Sequence, residues 1–421
     1  MVSWQHSNRT PLHIERFELP FDSTGWLVVD SLGGGQATGG IRLGTDVTEQ
    51  ETRELAAEMT MKFSFYGLPM GGAKAGIHCP VSIHGKDRAT LFVSMGKSIS
   101  PLLRMGRYNP GTDLGTYPED VQNVFRGAGI EKKSVLSPLN SGRCTALSVF
   151  AALKAAADWQ GLHLPGLRLG IQGLGKVGLE LVHLARSEGL QLSGVSTIQG
   201  ALLSSHGLSN DLLDEFEGSG EARLRDLAAK GILAPPDRLL TAECDVLCLC
   251  AGSHPLHDGN IDQVKAGIVV AGCNVAARSD LEARLHERRI CYIPGFVCNS
   301  GGVLGPILRS HFFTPEEMGR AIFAGVYRKS KSILKTSNER SSSPLEVALT
   351  QIELNQLRFK KESEALDKGL LFKILARLRH SGMSEMLRTV IWPFFRSSLP
   401  GQEGFRRRIA QKILMKRLFC L

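Results

Sequence analysis

The run Leu167-Arg168-Leu169-Gly170-Ile171-Gln172-Gly173-Leu174-Gly175-Lys176-Val177-Gly178 decides the fold, because it joins a short apolar strand to a glycine-rich turn. A helical pattern follows over residues 179–188 and a second strand over 192–196. In this G-x-G-x-x-G setting the first glycine makes the turn, the second admits a pyrophosphate and the third lets helix and strand pack. The helix N-terminus then faces the phosphate charge. The stretch therefore predicts a dinucleotide-binding βαβ unit.

The end of the second strand leaves the choice of dinucleotide open. Val195-Ser196-Thr197-Ile198 contains neither the acid that would hold ribose hydroxyls nor an arginine for a 2′-phosphate, so NAD and NADP both remain candidates. Further apolar strands are expected over 245–250, 267–271 and 290–293, alternating with helices. This alternation predicts a parallel sheet with its ligand at the carboxyl edge.

The N-terminal part shows a different pattern of strands and a capped helix. Residues 25–30 and 38–43 are expected to be strands, and Thr48-Glu49-Gln50-Glu51 is expected to form a capping box. The following helix carries Leu55, Met59 and Phe63 on one buried face, with Lys62 at the border of that face. A lysine there needs a partner or a function, or its head extends to solvent.

Two further charged residues lie among small residues. Lys74 is expected on a glycine-rich turn in Leu68-Pro69-Met70-Gly71-Gly72-Ala73-Lys74-Ala75-Gly76, after the helix stops at Gly67 and Pro69. Asp113 follows a strand end, before a helix that opens at Pro118. Each has a plain alternative, a solvated loop lysine and a turn aspartate bonded to its own backbone. A helix is predicted from Thr145 to Trp159, and a capping box at Thr314 opens one reaching about Lys335, before a polar linker over 337–343.

The composition is that of a soluble globular protein of about two domains, with 421 residues, 43% hydrophobic and 22% charged. There is no apolar run of about 18 residues and no signal-peptide pattern, so a cytoplasmic location is expected by default. The nine cysteines lack paired C-x-x-C motifs with histidine partners, which argues against a zinc or other metal site.

The tail, residues 362–421, contributes much of the net charge of +9. Leu370, Ile374 and Leu378 form an apolar face, and Arg406-Arg407-Arg408 introduces a second basic amphipathic segment. Such helices contact an anionic membrane surface or another protein, or they pack on their own subunit or a neighbour. Nucleic acid is disfavoured, since the basic residues alternate with apolar ones rather than exposed aromatics.

Six motifs occur in a fixed order. They are Gly39-Gly40-Ile41-Arg42, Met59-Thr60-Met61-Lys62, Pro69-Met70-Gly71-Gly72-Ala73-Lys74, Asp113-Leu114-Gly115-Thr116, the Gly173–Gly178 loop and Asn299-Ser300-Gly301-Gly302-Val303. In order and rough spacing they resemble the glutamate/leucine/phenylalanine/valine dehydrogenase family over about residues 25–355. The resemblance implies NAD(P)-dependent oxidative deamination of an L-amino acid to a 2-oxo acid and ammonia, or the reverse reductive amination.

The same resemblance implies an α/β fold with three parts, and the tail, which lies outside the resemblance, makes a fourth. A substrate-binding and dimerisation domain would span 1–140, a Rossmann-like dinucleotide-binding domain 141–312, helices returning to the first domain 313–361, and a basic helical tail 362–421. It also implies a homo-oligomer. Lys74 and Asp113 would be catalytic, and Lys62 would hold the α-carboxylate. The other implied substrate contacts are Thr38, Gly39, Gly40, Gly111, Asn299 and Val303. The implied cofactor contacts are Thr145, Gly173, Leu174, Gly175, Lys176, Val177, Gly178, Thr197, Cys250, Ala251 and Asn274.

Departures from the family pattern bear on the substrate. Thr38 stands where glutamate-specific members carry a lysine, and Pro306 stands where they carry a serine. A side-chain carboxylate would therefore lack partners, which disfavours glutamate. Gly111 is smaller than the alanine common there, which suggests room for a larger side chain. The expected substrate is a neutral, apolar or aromatic, L-amino acid, as in the leucine and phenylalanine dehydrogenases.

Departures on the cofactor side leave a second hypothesis open. Lys176 replaces the usual asparagine, Thr197 replaces an acid, and the Pro-Thr that often follows Asn274 is missing. A catalytically impaired relative, acting as a binding or membrane-associated protein through its basic tail, is the alternative, because a kept fold does not guarantee a kept reaction. The joint presence of Lys62, Lys74 and Asp113 argues against it.

Overall fold

Two β-sheets organise the part of the chain that the computed structural model describes, which is residues 10–131, 139–311, 313–368, 414–415 and 418–419. The first sheet has the order β1-β2-β4-β3-β5. Its strands are β1 (His13–Leu19), β2 (Ser23–Val29), β3 (Ala37–Gly44), β4 (Gly71–His78) and β5 (Tyr108–Thr112). Strands β3, β4 and β5 run parallel, whereas β1 and β2 pair antiparallel with their neighbours. The parallel strands place the ends of β3 and β5 beside each other.

Helices α1 (Glu49–Phe65), α2 (Gly85–Ser98), α3 (Ser100–Arg104) and α4 (Pro118–Gly127) accompany this sheet. Helix α1 lies directly on β4. The two elements are so close that a Cβ at Gly72 would overlap the amide nitrogen of Thr60. Glycine at this position therefore permits the close approach that brings the C-terminal part of α1 beside the start of β4.

The second sheet is the predicted nucleotide-binding sheet, with the order β11-β10-β9-β6-β7-β8. Its strands are β6 (Arg168–Gln172), β7 (Gln191–Thr197), β8 (Gly200–Leu203), β9 (Val246–Leu249), β10 (Ile268–Ala271) and β11 (Cys291–Ile293). All neighbours pair parallel except β7 and β8. A parallel sheet of buried apolar strands agrees with the sequence prediction.

Helices cover this sheet and connect it to the first. They are α5 (Ser141–Trp159), α6 (Lys176–Ser187), α7 (Asn210–Ala229), α8 (Ser279–Glu287), α9 (Gly295–Cys298), α10 (Gly301–Ser310), α11 (Pro315–Arg340) and α12 (Pro344–Lys368), with 3-10 turns at Pro236–Leu239 and Ile261–Gln263. Helix α12 returns to α1, where Asn355 Nδ2 donates to the carbonyls of Ser64 at 2.8 Å and Phe65 at 3.1 Å.

Three described residues near the end of the tail are buried in the body of the molecule. Leu414, Leu418 and Phe419 lie in the main apolar core, and the Phe419 ring meets the Tyr66 ring edge-on at 6.1 Å. These residues match the expectation of a tail packed on its own subunit. The predicted amphipathic segments around Leu370–Leu378 and Arg406–Arg408 lie outside the described residues. Among the described helices, none combines the length and apolar composition needed to cross a bilayer.

Several local predictions were wrong. Lys74 lies in the middle of strand β4 rather than on a turn, because the glycines of Gly71–His78 pack flat between α1 and the neighbouring strands. Thr48 caps α1, but the Glu51 carboxylate pairs with Arg42 instead of completing a capping box. Helix α5 begins at Ser141, capped by Asn140, and α11 continues to Arg340, into the predicted polar linker. The capping box at Thr314 is confirmed.

Candidate active site

Lys74 and Asp113 form a buried pair within the first sheet. Lys74 is 2% exposed in strand β4, and Asp113 follows the last residue of β5. The Lys74 Nζ lies 2.6 Å from Asp113 Oδ2. Because β3 lies between β4 and β5, the two side chains meet across it. The structure thus brings together the two residues that the sequence proposed as catalytic.

Arg42 completes this cluster, and the sequence analysis missed its role. It lies on β3 between the other two strands, and its Nε donates to Asp113 Oδ2 at 2.9 Å. Its guanidinium also pairs with Glu51 and donates to Ser253 Oγ at 3.0 Å. Ser253 follows strand β9, so Arg42 connects the pair to the carboxyl edge of the second sheet. An arginine within a strand predicted to be buried was the available signal.

The electrostatics of the cluster act on both members of the pair. Burial lowers the pKa of Lys74, and Arg42 lowers it further, while Asp113 opposes them. Burial by itself raises the pKa of Asp113, but the charges of Lys74 and Arg42 outweigh it, so this pKa lies well below its usual range. Asp113 is therefore a carboxylate at neutral pH, and Lys74 gives up a proton more readily than an ordinary lysine.

Lys62 lies in the last turn of α1 and bridges the two sheets. It is 4% exposed, and its Nζ donates to Asn274 Oδ1 at 2.5 Å. The Glu58 carboxylate, one turn earlier, lies 3.1 Å from the same nitrogen. Lys62 is therefore partnered and buried rather than extended to solvent.

Asn299 lies beside Lys62 at the start of the turn before α10. Its Nδ2 donates to the carbonyl of Cys273 at 2.6 Å and to Glu58 at 3.4 Å. Its Oδ1 is buried and has no hydrogen-bond partner among the residues that the structure describes. An acceptor left open in this cleft suits a ligand that carries N–H groups.

One face of α1 carries three acids that contact the second sheet's loops. Glu51 accepts from Ser253 Oγ at 2.9 Å, Glu54 lies 2.7 Å from His254 Nε2, and Glu58 accepts from the Val275 amide at 2.5 Å. Sequence reasoning missed all three contacts. Their spacing along one helix face was a signal, but the partners come from loops about 200 residues away.

The other expected substrate contacts divide into two groups. A Cβ at Gly39 would overlap the Ala73 carbonyl, and one at Gly40 would lie 2.9 Å from Asp113 Cβ, so both glycines allow close packing around the pair. A Cβ at Gly111 would meet nothing within 4 Å. Open space beside Gly111 agrees with the expected room for a side chain. Thr38 on β3 and Val303 on α10 are partly exposed.

The expected cofactor contacts gather at the carboxyl edge of the second sheet. Gly173–Gly178 follow β6, Thr197 ends β7, Cys250 and Ala251 follow β9, and Asn274 follows β10. Parallel strands deliver these ends to one edge, as dinucleotide sites require. The glycine loop fits this role, because Gly173 has φ 89° and a Cβ at Gly178 would overlap the Gly173 carbonyl, whereas Gly175 faces open space.

Other loop residues take distinct positions. Lys176 is exposed at the start of α6, where its charge adds to the helix N-terminus. The Leu174 side chain is 4% exposed and belongs to the core, which leaves its backbone for the loop. Val177 is partly buried beside Gly272. Thr145 on α5 lies close to α10, since a Cβ at Gly302 would be 2.8 Å from its Oγ1.

Both halves of this architecture match one family. Residues 22–128 match the Glu/Leu/Phe/Val dehydrogenase dimerisation domain, and residues 138–311 match Glutamate/Leucine/Phenylalanine/Valine dehydrogenase. The chain belongs to this family. The predicted family, fold class and enzyme class, an amino acid dehydrogenase using NAD or NADP, are thereby confirmed.

Alignments with individual relatives cover most of this chain. An NAD-specific glutamate dehydrogenase from Staphylococcus aureus is 30% identical over 287 residues, which are 64% of this chain and 67% of that protein. The hetero-hexameric glutamate dehydrogenase from Thermus thermophilus, solved with leucine bound, is 24% identical with a TM-score of 0.69, covering 82% of this chain and 89% of that one. L-tryptophan dehydrogenase from Nostoc punctiforme is 20% identical with a TM-score of 0.58, covering 83% and 97%. At these identities the two solved structures show the fold alone.

Proposed function

We propose that this family member catalyses NAD(P)-dependent oxidative deamination of a neutral L-amino acid to its 2-oxo acid and ammonia, or the reverse reductive amination. The observation that carries the proposal is the buried contact of 2.6 Å between Lys74 and Asp113. Arg42 connects this pair to Ser253 at the nucleotide-binding edge, so proton-transfer groups and the dinucleotide loop share one cleft.

Each side chain has a defined task in this scheme. The Gly173–Gly178 loop would hold the dinucleotide, which would supply a hydride acceptor for the substrate Cα. Lys74, whose pKa is lowered by burial, takes a proton from water that attacks the oxidised carbon and, once protonated, stabilises the developing oxyanion. Asp113 exchanges protons with the substrate nitrogen, and Lys62 orients the α-carboxylate. Asn299 supports this arrangement with an open Oδ1 for the amino group.

The proposed substrate class rests on three residues at positions that the family resemblance assigns to the substrate pocket. Thr38 has no charge for a side-chain carboxylate, and Pro306 within α10 has no hydrogen-bonding side chain. A carboxylate beside them would be left unpaired at a large cost in binding. The open space beside Gly111 favours a bulky apolar or aromatic side chain. The names of the relatives span glutamate and tryptophan dehydrogenases and so do not decide between acidic and neutral substrates.

A panel of L-amino acids with NAD and with NADP, followed by absorbance of the reduced nicotinamide, tests this proposal. Neutral substrates should exceed L-glutamate in kcat/KM. Gly111→Val should reduce kcat/KM for large side chains by about tenfold to a hundredfold relative to L-alanine, because it fills the open space. A panel in which L-glutamate ranks first, with no effect of Gly111→Val, would reject the neutral pocket.

The dinucleotide loop offers a matched pair of variants. Gly175→Ala places its methyl group in open space and should weaken NAD(H) binding while leaving the melting temperature unchanged. Gly178→Ala forces its methyl group against the Gly173 carbonyl and should instead lower the melting temperature. Equal NAD(H) affinity in wild type and Gly175→Ala, measured by nicotinamide fluorescence, would contradict the assigned loop.

The four-part domain division and a homo-oligomer belong to the same proposal. The apolar cores support a division near residue 140, because one core contains buried residues between 17 and 128 and the other two lie mostly after residue 140, and the family match at 22–128 is described as a dimerisation domain. Sedimentation equilibrium tests the oligomer.

For the tail, burial of Leu418 and Phe419 supports attachment to the body over a membrane contact. Sedimentation with anionic vesicles, with and without residues 362–421, distinguishes the two.

The catalytically impaired relative remains a second candidate because of one observation. Lys62, the proposed carboxylate ligand, is already occupied by Glu58 and Asn274. This candidate predicts that the chain binds NAD(H) but turns over no amino acid in the panel.

A further inference from the structure

Glu58 is a buried acid that the reaction scheme does not use. Its side chain is 3% exposed, and it lies one helical turn before Lys62 on α1. It has three partners: Lys62 Nζ at 3.1 Å, the Val275 amide at 2.5 Å and Asn299 Nδ2 at 3.4 Å. A carboxylate with three donors, one of them charged, is fully satisfied where it lies.

Two of these three donors belong to the proposed substrate site. Lys62 is the residue assigned to the substrate α-carboxylate, and Asn299 is assigned to the substrate beside it. The Glu58 carboxylate therefore has the same chemistry, and the same principal partner, as the group that an amino acid would bring. Lys62 also donates to Asn274, so two acceptors already use its ammonium group.

The third donor shows how firmly Glu58 is held. Val275 has φ 47°, a left-handed conformation that is strained for a β-branched residue. Its amide donates to Glu58, and its carbonyl accepts from the His254 amide at 2.8 Å. Hydrogen bonds on both sides of this residue support a backbone conformation that places its N–H toward Glu58.

The two neighbouring acids on the same face of α1 serve as a contrast. Glu51 pairs with Arg42 and Ser253, and Glu54 contacts His254. Neither of these contacts involves Lys62. Of these three acids, it is Glu58 whose carboxylate contacts Lys62, the proposed binding partner of the substrate α-carboxylate.

We propose that Glu58 is a specificity-determining residue whose carboxylate competes with the substrate α-carboxylate for Lys62, so that Glu58 lowers the preference of the site for an amino acid over the corresponding amine. The inference rests on the proposed function, because it assumes that Lys62 is the carboxylate ligand. With Glu58 in place the Lys62 charge is balanced, and a second carboxylate meets like charge instead of a free cation. A neutral head group meets no such repulsion.

Binding of a carboxylate alone tests this without turnover. The probe is 4-methylpentanoate, which is L-leucine without its amino group, titrated into the full chain with NADH by calorimetry. Glu58→Gln removes the charge while keeping an acceptor for the Val275 amide, and it should bind the probe at least about tenfold more tightly than wild type, about 1.4 kcal/mol. Glu54→Gln, on the same helix face, is the matched control and should bind as wild type does.

A turnover comparison extends the test. The ratio of kcat/KM for L-leucine to kcat/KM for 3-methylbutylamine should rise at least about tenfold in Glu58→Gln.

Equal probe affinity in wild type and in a folded Glu58→Gln would overturn the inference, as would tight binding of the probe to wild type. If Glu58→Gln fails to fold, Glu58→Asp, which withdraws the charge from Lys62, must raise probe affinity or the inference is overturned. Loss of all turnover with the gain in probe binding intact would reject the proposed function while leaving the competition at Lys62 standing.

Discussion

Two lysine–carboxylate pairs lie close enough for their charges to interact, and they differ in what holds them. Lys74 and Asp113 come from two strands of the first sheet, with Arg42 between them as a second cation. Lys62 and Glu58 lie four residues apart on one helix, and their further partners come from loops of the second sheet. The first pair is therefore assembled within one sheet, whereas the second depends on contact between the two halves of the chain.

The difference also concerns charge. Asp113 faces two cations, which keep it ionised. Burial, with a further contribution from Arg42, lowers the pKa of Lys74, a state suited to moving protons. Glu58 faces a single cation and otherwise neutral donors, a state suited to holding a position. We therefore assign chemistry to one pair and recognition to the other, although both combine a buried lysine with a carboxylate.

The largest effect is expected when each lysine is removed in turn. Lys74→Met should lower kcat by about 10²–10⁴-fold, because it removes the acid–base group. Lys62→Met should mainly raise KM, because it removes a binding group present in ground and transition states alike. Steady-state kinetics on the best substrate of the panel checks this split. Equal losses of kcat in both variants would erase the proposed difference between the pairs.

The same two variants should show the opposite order in stability. Lys62→Met leaves the Glu58 carboxylate buried without a cation and should cost about 3–5 kcal/mol. Lys74→Met leaves Asp113 paired with Arg42 and should cost roughly 1–3 kcal/mol. Urea unfolding midpoints compare the two. The double variant Lys62→Met/Glu58→Gln is the control, and it should regain part of the loss because no charge remains uncompensated.

Sequence reasoning found one pair and only half of the other. Lys74 and Asp113 were placed together because the order of motifs resembled a family, and the short parallel strands near the Gly173–Gly178 loop followed from their apolar runs. The predicted turn around Lys74 was wrong. It was predicted because a cluster of glycines indicates a turn when only the local sequence is considered. Only the packing of α1 on β4 shows the role of these glycines, which have no side chains and so leave room for the helix to lie on the strand.

The contacts between the two halves could not be predicted. Glu51, Glu54 and Glu58 appear in the sequence as acids of an amphipathic helix, which are ordinarily solvent-exposed. Their partners Ser253, His254 and Val275 lie in loops whose path depends on the whole second sheet. Residue patterns predict which face of a helix is apolar, but they do not predict which distant loop lies against its polar face.

The variant Arg42→Gln tests how strongly Arg42, the second cation of the first pair, changes the pKa of Lys74. Arg42 lowers the pKa of Lys74, so its removal should raise that pKa. The alkaline-rising limb of kcat/KM, which follows loss of the Lys74 proton, should move to higher pH. Asp113 loses a cation as well, but Lys74 keeps it ionised at neutral pH. An unchanged limb in a folded variant would show that Lys74 does not titrate in this profile.

The smallest effect is expected at the most exposed contact between the halves, the pair of Glu54 and His254. The hydrogen bond to Glu54 is the largest influence that raises the pKa of His254 above 6.5. Because the folded pKa is the higher one, the stabilisation is fully present below about pH 6.5 and is lost as pH rises through the folded value. The His254 side chain is 37% exposed, so screening by water limits the effect to below about 1 kcal/mol.

Melting temperatures of wild type and Glu54→Gln between pH 5.5 and 8.5 measure this contribution. The difference should be largest at the acidic end and vanish at the alkaline end. Glu49→Gln is the matched control, because Glu49 pairs with Arg53 on the same helix, and arginine keeps its charge across this range. A pH-independent difference for Glu54→Gln would mean that the contact across the cleft is carried by Glu51 and Glu58, whose partners there, Ser253 and the Val275 amide, do not titrate.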